Sequence, residues 1–215
     1  MSETLQTANA RDLERLHRML RQVAGDDLGT LRRHLAARDE ARVLDIACGE
    51  CHEAEVLTDF AAELTGDPDG AVQLTGLDVR AREIANARKR FGRRRGPDNQ
   101  RGKREFEFLS GDATKLKEHV GSDEDFDLVF LRHQNYWNGD STWEKIFDQA
   151  LERLGSDGRL IITSYFDKEH RLALEALQRL GGELLRTESN PETRALLTPG
   201  KSVDRHVAIF RRKDA

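Results

Sequence analysis

The chain's two cysteines, Cys48 and Cys51, stand three positions apart and His52 follows at once. Two thiols at this spacing can form a reversible disulfide, and C-x-x-C-H is also the attachment pattern for c-type haem. Aspartates recur in or after short apolar runs: Asp45 inside Val43-Leu44-Asp45-Ile46-Ala47, Asp78 after Gly76-Leu77, and Asp112 after Gly111. A carboxylate accepts hydrogen bonds from hydroxyls or from an amino group. His133 lies in the polar stretch Arg132-His133-Gln134-Asn135-Tyr136-Trp137. An imidazole with a pKa near neutrality there can take a proton from a hydroxyl or an amine. Residues 195–202, Ala-Leu-Leu-Thr-Pro-Gly-Lys-Ser, satisfy a relaxed phosphate-loop pattern, but a strand-like alternation and not a helix follows, so they read as a connection between the last two strands.

These groups matter only if the chain brings them together. Leu13, Leu16, Leu20 and Val23 recur at helical spacing, as do Leu28, Leu31 and Leu35, which predicts two N-terminal helices. From residue 42 the texture changes to short β-prone runs alternating with helical patterns. Strands are expected at 42–47, 74–79, 106–109, 126–131 and 159–164, with helices after most of them; 183–188 and 203–211 read as two last strands with no helix between them. Ser141 with Glu144 three residues on reads as a capping box for one helix, and Gly155 as its stop. Strands alternating with helices give a doubly wound α/β sheet, mostly parallel and seven-stranded, with helices on both faces and an antiparallel last strand. Residues 1–39 are expected as helices covering the site, and 40–215 as the domain that carries it. In such sheets ligands bind beyond the carboxyl ends of the strands, where the strand order reverses. Asp45 to Cys51, Asp78, Asp112 and Arg132 to Trp137 all fall at such ends.

In that order the runs resemble the class I S-adenosylmethionine-dependent methyltransferases. Val43-Leu44-Asp45-Ile46-Ala47-Cys48-Gly49 is similar to the first motif of that family. Gly76-Leu77-Asp78-Val79 and Gly111-Asp112-Ala113 stand where it places its ribose-binding and adenine-binding residues, and the runs 126–130 and 154–160 match its fourth strand and the turn into its fifth. The resemblance covers about residues 40 to 211. It implies S-adenosyl-L-methionine as cofactor, held by Asp45, Ala47, Cys48, Gly49, Cys51, Asp78, Val79, Asp112, Ala113, Leu131 and Arg132. Small residues after the first strand would let backbone N–H groups approach the methionine part, and a helix beginning near His52 would favour its carboxylate. The family usually has glycine where this chain has Ala47 and Cys51, so the loop is bulkier than its pattern.

The residues weigh against several other classes. Of the residues, 34% are charged but the net charge is only −4, so charge does not mark the chain as a nucleic-acid binder. The basic run within 88–104 connects a helix end to a strand start, at the edge of the sheet opposite the cofactor. No run approaches the roughly 18 to 20 apolar residues of a membrane span, and the first ten residues lack the basic and apolar regions of a secretory signal, so the cytoplasm is the expected compartment. Haem attachment would require export. A thioredoxin-like thiol-disulfide oxidoreductase using Cys48 and Cys51 is the main alternative, and a non-catalytic methyltransferase-like binding module the other. No metal ligand set is assigned.

The loop after the fourth strand lacks the Asn/Asp-Pro-Pro-aromatic signature of nucleic-acid amino methyltransferases and the cysteine of cytosine-C5 enzymes. The acceptor is therefore expected to be a small molecule methylated on O or N, with His133 as general base and Tyr136 as the second catalytic candidate.

Overall fold

The computed structural model describes residues 5–25, 28–92, 103–121 and 125–213. Helices α1 (Leu5–Val23) and α2 (Gly29–Ala36) precede β1 (Glu40–Ile46), α3 (Ala54–Thr65), β2 (Ala71–Asp78), α4 (Ala81–Gly92), β3 (Arg104–Ser110) and β4 (Phe126–Arg132). Then come α5 (Asp140–Glu152), β5 (Leu154–Ser164), α6 (Asp167–Arg179), β6 (Gly182–Ser189), the short β7 (Arg194–Ala195) and β8 (Ser202–Val203), and β9 (His206–Arg212). The large sheet has seven strands in the order β3-β2-β1-β4-β5-β9-β6. β1 to β5 run parallel, whereas β9 is antiparallel to both its neighbours.

The strands are apolar on both faces because both faces are covered. Val43, Leu128, Phe130 and Ile161 pack into one cluster with α1 to α4, while their chain neighbours Leu44, Val129, Leu131 and Ile162 pack into another with α5 and α6. Helix α3 buries Leu57, Phe60, Ala61 and Leu64, one helical stripe, and ends at Gly66, whose φ of 84° is a left-handed stop. The strand order reverses between β1, which is followed outward by β2 and β3, and β4. That reversal places the ends of β1 and β4 at a crevice.

Several local expectations are corrected. Ser141 caps nothing through its side chain: α5 begins at Asp140, which accepts from the Ser141 N–H, and Glu144 is drawn away to the Tyr136 hydroxyl and Arg179. Gly155 lies inside β5, where the register against β4 shifts between Phe126 and Leu128. The stretch 195–202 is a connection, as its sequence predicts: it joins β7 to β8 and opens no helix. Val203 belongs to β8 and the last strand starts at His206. Of the basic run, 93–102 lies outside the described residues; Arg88 donates to the Phe108 carbonyl and Arg90 to Glu50.

Among the described residues, none of α1 or α2 lines the crevice. Helix α1 joins α3 through Arg21 and Glu63 and reaches the β7–β8 hairpin side through Asp12–Arg194 and Arg18–Glu192 pairs. Its apolar stripe, Leu16, Leu20 and Val23, is in the α1–α4 layer, so these helices extend that layer.

Candidate functional site

A cavity of about 890 Å³ opens at the carboxyl ends of β1, β2 and β4, within the ~300–1,000 Å³ range of small-molecule sites. Its floor is the loop from β1 to α3. Ala47, Gly49 and Cys51 there have φ of 58°, 59° and 47°, all left-handed. This is why glycine suits these positions: a side chain in that conformation costs roughly 1–2 kcal/mol, and Ala47 and Cys51 carry it. The bend is held by Cys51 N–H to the Cys48 carbonyl at 2.8 Å and by Cys48 N–H to the Leu77 carbonyl at 3.2 Å. Gly76 on β2 makes room for it, since a Cβ there would meet the Cys48 sulfur at 3.1 Å and the Phe108 ring at 2.8 Å.

Asp45 is wholly buried beneath this loop, with Oδ2 accepting from the Cys51 thiol at 3.0 Å. Burial and the nearby Glu53 charge push its pKa well above the usual carboxylate range, and burial pushes the Cys51 thiol up as well. Asp45 and Cys51 therefore support the cavity without lining it, whereas Ala47, Cys48 and Gly49 line it.

Asp78 ends β2 and is almost fully engaged. It accepts from Gly49 N–H at 2.8 Å and from Arg80 N, Nε and Nη2 at 2.8, 2.9 and 3.0 Å. Burial alone would raise its pKa; the Arg80 and Gly49 bonds outweigh that and hold it low. Asp112 accepts from the Thr114 N–H and hydroxyl, which lower its pKa. Both border the cavity with their chain neighbours Val79 and Ala113.

The opposite wall is a buried ionic network. Arg132, at the end of β4, pairs with Asp204 at 2.6 Å and with Glu53 at 3.0 Å. His133 follows with φ 59°, and its Nε2 lies 2.8 Å from Asp204 Oδ1. Thr163 also donates to that carboxylate at 2.8 Å. Burial would raise the Asp204 pKa, yet Arg132 and His133 hold it far below the ordinary range; burial lowers that of His133, against the opposing pull of Asp204. The His133 ring stacks on Tyr165, centroids 3.7 Å apart. Thr142, Trp143 and Ile146 of α5 close this side.

Two expected site residues stand elsewhere. Leu131 points into the α5–α6 layer, because side chains alternate along β4 and its neighbour Arg132 takes the pocket face. Tyr136 is buried against Phe147 and donates to Glu144 at 2.8 Å, so it anchors α5 and lines no part of the cavity. Tyr165, just after β5, lines the cavity beside His133. A strand-end reading carried on to the fifth strand would have found Tyr165; nothing local singles out Glu53, Asp204 or Arg80.

This fold and this cleft define a class I methyltransferase. A family model described as a methyltransferase domain matches residues 37–197, and the chain belongs to that family, with S-adenosylmethionine as its cofactor. The strand order and that membership overturn the thioredoxin-like alternative. Among solved structures, a TehB-like SAM-dependent methyltransferase from Corynebacterium glutamicum is similar at 20% identity and TM-score 0.52, over 94% of this chain and 98% of that one. The N-methyltransferase NodS from Bradyrhizobium japonicum matches at 17% identity and TM-score 0.54, over 87% and 94%. A S-adenosylmethionine-dependent methyltransferase from Clostridium acetobutylicum matches at 10% identity and TM-score 0.59, over 85% and 87%. No curated protein matches the chain. No helix among the described residues is long and apolar enough to cross a membrane.

Proposed function

We propose that the chain methylates a small molecule on oxygen or nitrogen, with His133 as the proton acceptor. The observation that carries this reading is the Asp204–His133 pair on the cavity wall, 2.8 Å between carboxylate and imidazole. In the neutral ring Nε2 accepts from the Asp204 N–H at 3.1 Å, and the carboxylate beside it stabilises the charge that the imidazole gains on taking a proton.

The residues fit the cofactor. The left-handed backbone at Ala47 and Gly49 opens the floor toward its methionine part, and the start of α3 favours a carboxylate there. Asp78 holds the ribose hydroxyls and Asp112 with Ala113 the adenine, while Cys48, Val79 and Arg132 complete the wall. Arg80 must yield part of Asp78 for this to happen; at 59% exposure its side chain can swing outward. Asp45 and Cys51 act through the loop. When bound, the cofactor supplies an electrophilic methyl group. The chain contributes alignment, exclusion of water by Trp143 and Ile146, and removal of the acceptor's proton.

The test is a screen of small hydroxyls and amines for S-adenosylhomocysteine release, followed by His133→Ala. Turnover should fall by about 10²- to 10⁴-fold with cofactor affinity nearly unchanged. In the wild type the rate should rise with pH along a limb lying below the ordinary histidine range, because burial lowers the His133 pKa and the base works only when unprotonated. That limb should vanish in the variant. Normal turnover in His133→Ala, or methylation confined to a nucleic acid or protein acceptor, would overturn the reading.

A further inference from the structure

We propose that Asp45, Cys48 and Cys51 form a binding site for a soft divalent cation of the zinc type. One ligand atom from each lies within 4.8 Å of the other two, and all three residues are buried. A tetrahedral zinc-type ion holds sulfur and oxygen ligands roughly 3.3 to 3.8 Å apart, given metal–ligand distances of about 2.0 to 2.3 Å, so small side-chain rotations close the set. The C-x-x-C spacing is that of many zinc sites, and here it sits in a turn fastened by the Cys51 N–H bond to the Cys48 carbonyl.

A second, independent feature points to a cation. Asp45 is wholly buried, yet its Oδ1 has no hydrogen-bond partner, and its Oδ2 accepts from the Cys51 thiol. A buried carboxylate oxygen without a donor is costly. The surroundings make the deficit worse: Asp45, Glu53 and Asp204 are all buried around one guanidinium, and Arg132 gives its donors to Glu53 and Asp204. Asp45 feels the Arg132 charge but receives none of its hydrogen bonds.

On binding, two sulfur–metal bonds and one oxygen–metal bond form, and the two thiol protons pass to water. Cys48 borders the cavity, so the fourth position is left to a water from that side. Metal would then tie the end of β1 to the start of α3 and fix the loop whose Ala47 and Cys51 stand in glycine-like conformations. The inference does not depend on which acceptor is methylated.

The test adds cadmium ion alone to the reduced full chain and follows ultraviolet sulfur-to-cadmium charge transfer, then displaces it with zinc. The chain has two cysteines, so the wild-type band can come only from this pair. Saturation near one cadmium per chain, a band absent from Cys51→Ser, and affinity at least ~10-fold weaker in Asp45→Asn are expected. Circular dichroism of each variant checks its folding. No band in the wild type at stoichiometric cadmium would overturn the site, and so would undiminished affinity in a folded Asp45→Asn.

Discussion

The two walls of the cavity are built from different kinds of contact. On the β1–β2–β3 side these polar groups each have a partner close in sequence, Asp78 in Arg80, Asp112 in Thr114 and Cys51 in Cys48, and Asp78 also accepts from Gly49, 29 positions away. On the β4–β5–β9 side the partners are distant. Arg132 and His133 meet Asp204, 72 and 71 positions away, and Arg132 meets Glu53, 79 positions away. The first wall is a set of strand-end turns, tied together by the bonds of Gly49 and Cys48 to the end of β2. The second exists only after β9 has inserted between β5 and β6 and set Asp204 beside β4.

If that contrast is right, the second wall should break as a unit. Asp204→Ala strips the partner from a buried guanidinium and should cost about 3–5 kcal/mol of stability by denaturant unfolding. A loss under about 1 kcal/mol would mean that Glu53 alone satisfies Arg132.

The first wall should fail locally. Asp78→Ala is expected to weaken S-adenosylmethionine binding by about 1.5 to 3 kcal/mol in calorimetric titration. Arg80→Ala sharpens this test: it frees the same carboxylate, so affinity should rise or hold. Equal losses in both variants would show Arg80 itself touching the cofactor.

A pH experiment probes what holds Tyr165 in the second wall. Glu169 of α6 accepts from the Tyr165 N–H at 2.8 Å, and burial raises its pKa from 4.5 to about 7 against those backbone bonds. The folded chain thus keeps a proton that the unfolded chain gives up, so this contribution is present below the unfolded pKa and lost as pH rises toward about 7. Its neighbour His170, lowered by burial from 6.5 to about 4, works the other way and loses stability as pH falls through that range. Glu169→Gln removes only the first effect. Relative to wild type it should gain about 1–3 kcal/mol between about pH 5 and about pH 8, and a constant difference would refute the linkage.

The smallest effect is expected at Tyr136. Tyr136→Phe should cost about 0.5–1.5 kcal/mol through the lost bond to Glu144, with turnover unchanged. A large fall in turnover would return Tyr136 to the site.

How much was legible follows the same division. The parallel sheet, the antiparallel last strand and the loop 45–51 could be read because each strand and turn carries its own apolar period and small residues. That Asp78 and Asp112 border the cavity could be read because a strand end is a local landmark. Leu131 was misplaced by one step of the β4 alternation, and a one-residue shift in a strand exchanges the faces. Tyr136 was chosen for lying in the right loop, but its ring is drawn under α5 by Phe147 and Glu144. The capping box failed because Glu144 found stronger partners in Tyr136 and Arg179 than the backbone at Ser141.

By itself the sequence determined the fold class, the strand-turn-helix unit at 42–64 and the carboxylates at the strand ends, since periodicity and turn chemistry act over a few residues. The tertiary structure alone decided that Asp204 holds Arg132 and His133, that Tyr165 backs the imidazole, and that Asp45 lies beneath Cys48 and Cys51 with an oxygen left over. Charge pairing and burial depend on distance in space, and a residue 71 positions away leaves no mark on the local pattern of the chain.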